Sequence, residues 1–227
     1  MTGRILLVDD DSSLIDVLSI ALEDAGFRVS TARDGKIGWE TFQKESPELV
    51  VLDLIMPEMD GLEVCRRIRA AGRTPIVMLT SKEDEIDKIL GLEMGADDYV
   101  TKPFSTRELV ARIRAVMRRA APIAADAAEV VEIRGLIVSQ ERREVTIQGM
   151  AVELTATEFE VLYRLARQPG RVLSRDQLID AVYGEDIVVS HRTIDTFVKR
   201  LRKKIRNIDP SFDEIETIRS VGYRYRG

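Results

Sequence analysis

Short apolar runs alternate with stretches of helical periodicity through the first half of this chain. The strands expected from this pattern are residues 5–8, 27–32, 49–52, 75–79 and 98–101, of which 5–8, 49–52 and 75–79 are apolar throughout. The third, Leu49 to Leu52, lies between Ser46-Pro47 and Pro57, and a continuous apolar run between such breakers reads as a strand buried on both faces. Leu14, Val17, Leu18, Ala21 and Leu22 recur at steps of three and four, so a helix starts at Ser12 or Ser13 and Gly26 stops it. Further helices are predicted over 36–44, with Trp39 and Phe42 inward, and over 62–69, 86–94 and 107–119. Five strand–helix units predict one parallel sheet with helices on both faces. Right-handed crossovers and a doubly wound order then place every strand end along one edge.

Past residue 120 the pattern changes. AAPIAADAA, residues 120–128, has no core periodicity and reads as a linker. Ile133, 136–138, 145–147 and 152–154 are short β-like runs split by turn residues, which suggests a small antiparallel sheet. Thr155 stands three residues before Glu158, a capping signal for a helix burying Phe159, Leu162 and Leu165. A shorter helix over 175–182 is capped by Ser174. Ser190 then caps a helix through Arg206 whose apolar stripe is Ile194, Phe197, Val198, Leu201 and Ile205. Residues 214–218 and 223–226 form a terminal hairpin rich in basic and aromatic residues. The expected division is therefore 1–120, a linker 121–129, and 130–227.

Composition narrows the class. The 227 residues are 44% hydrophobic and 32% charged, as in a globular protein of two ordinary domains. No apolar run approaches the roughly 18 residues of a membrane span, and the N-terminus reaches acidic residues too soon for a secretory signal. The single cysteine, Cys65, excludes an intramolecular disulfide and fits a cytoplasmic protein. Charge is uneven: residues 1–120 carry 17 Lys/Arg against 22 Asp/Glu, the remainder 17 against 17. Within residues 192–206, however, seven basic residues face one acidic residue, Asp195. The acidity of the whole conceals a basic helix.

Chemistry gathers where the strands of the first half end. Asp9, Asp10, Asp53, Thr80 and Lys102 occupy those ends, and open α/β sheets bind ligands outside that edge. Carboxylates crowded into one crevice repel, so a cation is expected among them. Oxygen donors alone suit Mg²⁺. Such a site has the parts for phosphoryl transfer onto a carboxylate, with the metal and Lys102 neutralising charge and Thr80 donating to a phosphoryl oxygen.

These residues closely resemble the receiver domain of two-component response regulators, a flavodoxin-like (βα)5 fold. The matches are Asp9-Asp10, Asp53 with Met56-Pro57 and Asp60-Gly61, Thr80-Ser81, and Lys102-Pro103-Phe104. The resemblance implies that Asp53 accepts a phosphoryl group from a sensor histidine kinase. It implies Mg²⁺ ligation by Asp10, Asp53 and the Ile55 backbone carbonyl, with Asp9 acting through water. Thr80 and Tyr99 would form the switch pair, Lys102 would contact the phosphate, and the bond from Lys102 to Pro103 would be cis. The charge pattern also matches the subfamily that forms homodimers through the fourth helix, fifth strand and fifth helix. That implies cross-subunit pairs Lys88–Glu108, Asp98–Arg112 and Asp97–Arg119 around Ile89, Leu92 and Ala115.

The phrases LTATEFEVL, GRVLSRDQLI, RTIDTFVKRLRKKI and ETIRSVGYRYR closely resemble the α+β winged helix-turn-helix effector domain of the OmpR/PhoB subfamily. The resemblance places Arg192 and Thr193 on phosphates at the amino end of the recognition helix. It makes Lys199 and Arg200 base-edge readers and sets Arg202 and Lys203 on the DNA backbone. Thr217 and Arg219 would place the wing at the minor groove, with Tyr223 anchoring it. The wing turn has Ser220 where the family usually has Gly.

Both resemblances together imply a phosphorylation-controlled transcription regulator. Phosphorylated receivers would dimerise, and paired effector domains would bind tandem half-sites on double-stranded DNA, with RNA polymerase a further partner and no membrane. The protein would lose the phosphoryl group slowly by self-hydrolysis without being a turnover enzyme. Two alternatives are a dimeric DNA-binding regulator independent of phosphorylation and a Mg²⁺-dependent phosphohydrolase. The winged helix argues against the second.

Overall fold

Five parallel strands build the first sheet: β1 (Arg4–Val8), β2 (Arg28–Ala32), β3 (Leu49–Asp53), β4 (Ile76–Ser81) and β5 (Asp98–Lys102), in the order β2-β1-β3-β4-β5. They belong to a computed structural model that describes residues 3–81, 95–121, 129–184, 187 and 189–227. The chain divides into two compact units, Met1–Arg118 and Arg119–Gly227.

The period of two along the strands sorts side chains onto two cores. Ile5, Leu7, Leu49, Val51, Val77 and Leu79 face one layer, formed by α1 (Ser12–Asp24) and α4 (Thr106–Ala120). Leu6, Val8, Val50, Leu52, Ile76 and Met78 face the other, formed by α2 (Gly35–Glu45) and α3 (Gly61–Ala71). β3 is buried at every residue, as its unbroken apolar run requires. The predicted helix over 86–94 lies outside the described residues.

One predicted face differs. On α1 the buried residues are Ile15, Leu18 and Leu22, while Val17 is 55% exposed. The Asp11 side chain, accepting from the amides of Ser13 and Leu14, starts the helix and sets its rotation. Steps of three and four from Ile15 then define the inward stripe. Trp39 is only half-buried and stacks on buried Phe42, with ring centroids 5.6 Å apart.

The second unit opens with an antiparallel sheet, β6 (Val130–Ile133), β7 (Leu136–Ser139), β8 (Glu144–Ile147) and β9 (Met150–Ala151). The fourth strand was expected over 152–154. The strand instead ends at Ala151, with one more bond from the Val152 amide to the Val145 carbonyl at 2.8 Å, and Val152 and Leu154 are buried in the core. Helices α5 (Ala156–Ala166), α6 (Arg175–Tyr183) and α7 (His191–Arg206) follow. Thr155 and Glu158 form a full capping box on α5, as do Ser174 and Gln177 on α6. The terminal hairpin, β11 (Ile215–Ile218) and β12 (Gly222–Tyr225), gains a third strand that the sequence did not announce, β10 (Val172–Ser174). Gly222 permits it, because a Cβ there would lie 2.0 Å from the Leu173 carbonyl oxygen. Among the described residues no helix is long and apolar enough to cross a membrane.

Candidate functional site

Parallel pairing carries β1, β3, β4 and β5 to a common edge, and their final residues meet there. Asp9 is fully buried just past β1, Asp53 ends β3 at 7% exposure, and Asp10 is exposed at the rim. Carboxylate oxygens of the three lie within 4.8 Å of one another. Lys102, at the end of β5, places Nζ 2.8 Å from Asp9 Oδ2 and 3.1 Å from Asp53 Oδ1. Its bond to Pro103 is cis.

Among the described residues, three carboxylates around one ammonium leave the crevice short of positive charge. Burial, and then the Asp9 charge, push the Asp53 carboxyl from 3.8 to about 6 against the opposing pull of Lys102. Burial would lower Lys102, but its hydrogen bond to Asp9 and the Asp53 charge outweigh that and hold it above its usual range. An all-oxygen donor set of excess negative charge fits a small hard dication.

The loop beyond Asp53 is tied at both ends. The Gly61 amide donates to the Leu54 carbonyl at 2.9 Å, and the Leu54 amide donates to the Leu79 carbonyl at 3.1 Å. A Cβ at Gly61 would lie 2.0 Å from the Asp53 carbonyl oxygen, so only glycine fits. Ile55 is 61% exposed beside the carboxylates. Thr80 is buried next to the end of β4, opposite Thr101. Tyr99 is half-buried, and its hydroxyl donates to Met78 Sδ at 3.1 Å.

The charges assigned to cross-subunit pairing find partners inside one chain. Asp97 is 1% exposed, and its Oδ2 accepts from Arg69 at 2.7 Å and from the Ile76 amide at 3.0 Å. Within one chain, then, the Asp97 carboxylate is held by Arg69 and the Ile76 amide. Arg112 likewise pairs with Asp98 at 3.3 Å and with Glu108 at 2.9 Å in the same chain. Ala115 and Arg119 are 1% and 4% exposed. Lys88, Ile89 and Leu92 lie outside the described residues.

In the second unit α7 buries its predicted stripe and one residue more. Arg200 is 3% exposed, and its Nε lies 2.7 Å from Glu158 Oε1 on α5. Lys204 Nζ reaches Glu158 Oε2 at 2.7 Å. Burial would raise Glu158, but Arg200 and Lys204 outweigh it and hold the carboxyl below its usual range. Arg200 as a reader of base edges is thus corrected to a buried member of an ion triad. Arg192, Lys199 and Lys203 are exposed, Thr193 is half-exposed, and Arg219 and Thr217 are exposed on the wing. Arg202 is turned to the wing, donating to the Ile215 carbonyl at 2.6 Å and to Thr217 Oγ1 at 2.9 Å. Ser220 adopts φ +61, the left-handed conformation that favours Gly at such a turn. The wing keeps its turn despite the side chain.

Asp195, singled out in the sequence only as the one acidic residue of the basic helix, has partners that the sequence did not show. Its Oδ1 accepts from Arg175 Nε at 2.7 Å and from the Tyr223 hydroxyl at 2.6 Å. Burial, followed by the bond to Asp195, pushes the Tyr223 phenol up to about 12. An acidic residue alone among seven basic ones was the available signal.

An acidic sheet edge with one lysine in one unit and a basic helix with a wing in the next set two different chemistries on one chain. A family described as response regulator receiver domain matches residues 5–114, and one described as transcriptional regulatory protein, C terminal, matches residues 149–225. The sensory transduction protein RegX3 of Mycolicibacterium smegmatis is 43% identical over 225 residues, covering 98% of this chain and 99% of that one. RegX3 of Mycobacterium tuberculosis is 42% identical over 224 residues with the same coverage. A solved RitR mutant superposes with a TM-score of 0.76 at 25% identity, over 99% of this chain and 100% of the other. Thermotoga maritima DrrB, described as an OmpR/PhoB homolog, gives a TM-score of 0.52 at 34% identity over 100% of both chains. The chain belongs to the two-component response regulators of the OmpR/PhoB winged-helix subfamily. It is a phosphorylation-controlled, DNA-binding transcription regulator, whose partners are a sensor kinase and DNA.

Proposed function

We propose that Asp53 is the phosphoacceptor. A carboxylate oxygen of Asp53 attacks the phosphorus of a phosphohistidine on the kinase, forming a P–O bond as the P–N bond breaks. The electron pair goes to the imidazole nitrogen, which takes up a proton. Lys102, already within 3.1 Å of Asp53 Oδ1, offsets charge on the incoming group. Mg²⁺ would be held by Asp10, Asp53 and the Ile55 carbonyl, with Asp9 through water, and when bound it neutralises phosphoryl oxygens. Thr80 donates to a phosphoryl oxygen once the group is attached, and Tyr99 follows it as the second half of the switch.

The phosphorylated receiver forms a homodimer through β5, α4 and the helix expected over 86–94. Two effector units then engage tandem half-sites, where one contact raises the effective concentration for the next. Arg192, Thr193 and Lys203 take phosphates, Lys199 reads base edges, and Thr217 and Arg219 seat the wing. Arg202 steadies that wing from the helix. The phosphoryl group is lost slowly by self-hydrolysis, the protein works in the cytoplasm, and RNA polymerase is a further partner.

The observation carrying this reading is the Asp9, Asp10 and Asp53 cluster with Lys102 at one sheet edge. Incubation with acetyl phosphate and Mg²⁺ labels the wild-type chain at Asp53, and Asp53→Ala abolishes the label. Label persisting in that variant would show that the acceptor lies elsewhere.

A further inference from the structure

The basic helix α7 carries one carboxylate, Asp195, among seven cations. On a helix that meets a polyanion this charge repels the ligand, and the reason for it lies in its contacts, which are partly buried. A single oxygen, Asp195 Oδ1, joins three elements: its own helix, Arg175 at the start of α6, and Tyr223 in the wing strand β12.

A second strut lies beside the first. Asp195 and Arg202 are seven residues apart, about two turns, and so share one flank of α7. Arg202 donates to the Ile215 carbonyl and to Thr217 Oγ1 in the other wing strand, β11. Two guanidiniums lie over the Tyr223 ring, Arg175 at 5.1 Å and Arg202 at 5.8 Å from its centroid. Register places Tyr223 opposite Thr217 on one side and Leu173 on the other. The hydroxyl of Tyr223 thus fixes the helix, while its strand fixes Arg219 at the hairpin tip.

We propose that Asp195 is a positioning residue that sets the placement of the wing relative to the recognition helix. It spaces the wing's DNA contact from the helix's own and touches no base itself. This rests on the proposed reading of α7 and the wing as the DNA-binding elements.

The test is a double-mutant cycle on the full chain, using a duplex that the wild-type chain has selected from random DNA. In the wild type, Arg219→Ala weakens binding about tenfold. In the Asp195→Ala background the same change weakens it by less than about twofold, because the wing no longer stands over its groove. Tyr223→Phe, which removes one hydroxyl, gives the same loss of coupling without threatening the fold. Asp195→Asn keeps an oxygen acceptor at the same atom and retains most of the Arg219 effect. An equal Arg219 penalty in all backgrounds overturns the positioning role and leaves the DNA-binding reading standing. A tighter-binding Asp195→Ala with full Arg219 dependence would show that the carboxylate only repels DNA. No Arg219 penalty even in the wild type sinks both the wing contact and the role built on it.

Discussion

Each unit holds a buried ionic cluster, and the two are balanced in opposite directions. At the sheet edge two buried carboxylates, Asp9 and Asp53, share the single ammonium of Lys102, with Asp10 close by. Beneath α7 a single buried carboxylate, Glu158, lies between Arg200 and Lys204. The carboxyls report the difference: Asp53 is pushed up to about 6, and Glu158 is held below its usual range. A cluster short of positive charge is poised for a ligand. One already supplied with cations is a strut. Burial is common to both, so charge balance, not burial, separates the functional cluster from the architectural one.

The largest effect expected on that contrast comes from Arg200→Ala. It leaves Glu158 with one cation in a site without solvent, and breaking a buried pair costs about 3–5 kcal/mol. Calorimetry of the full chain should show the effector transition shifted down, and binding to operator and to random DNA should fall together. Loss confined to operator binding, with an unchanged transition, would restore Arg200 as a base reader.

Asp53→Asn should act in the opposite sense. A carboxyl near 6 in the fold and near 3.8 unfolded makes the folded state the stronger proton binder. Its contribution is fully present below pH 3.8 and is lost as pH rises through 6. In metal-free buffer at pH 7 the asparagine variant is therefore more stable, by on the order of 1–3 kcal/mol, with the gain shrinking to nothing near pH 4. A gain independent of pH would mean that relief of charge is not its origin. The smallest effect is that of Mg²⁺ itself. At about five times its Kd it should stabilise the wild type by about 1 kcal/mol and the asparagine variant far less. Equal shifts in both would place the ion away from Asp53.

The acidic edge was legible in the sequence because parallel strands bring their ends together whatever lies between them. Asp9, Asp53 and Lys102 needed only strand boundaries to be placed side by side. The triad was not legible in the same way. With 3.6 residues per turn, Arg200 sits about 60° from Phe197, at the margin of the apolar stripe. The sequence shows that margin but not the neighbour that occupies it. Glu158 announced itself as a capping residue, and its second task appears only once α5 and α7 are packed. The intrachain partners of Asp97 and Asp98 were hidden for a related reason: a charge pattern along the chain does not show that Arg69 and Arg112 fold back onto these carboxylates. Ser220 shows the converse, since a residue unfavourable in its turn still adopts it.

Gly61 and Leu54 clasp the loop after Asp53 like a buckle, hydrogen-bonded across its mouth with no room for even one methyl group at Gly61. A buckle transmits displacement instead of absorbing it. The main chain at Asp53 is backed by α3 and tied through Leu54 to β4, so a bulky group added to its side chain cannot be accommodated by retreat. The yielding must occur on the other side, toward Lys102 and Thr80. The stiffness of one turn thereby gives the molecule a direction in which to move.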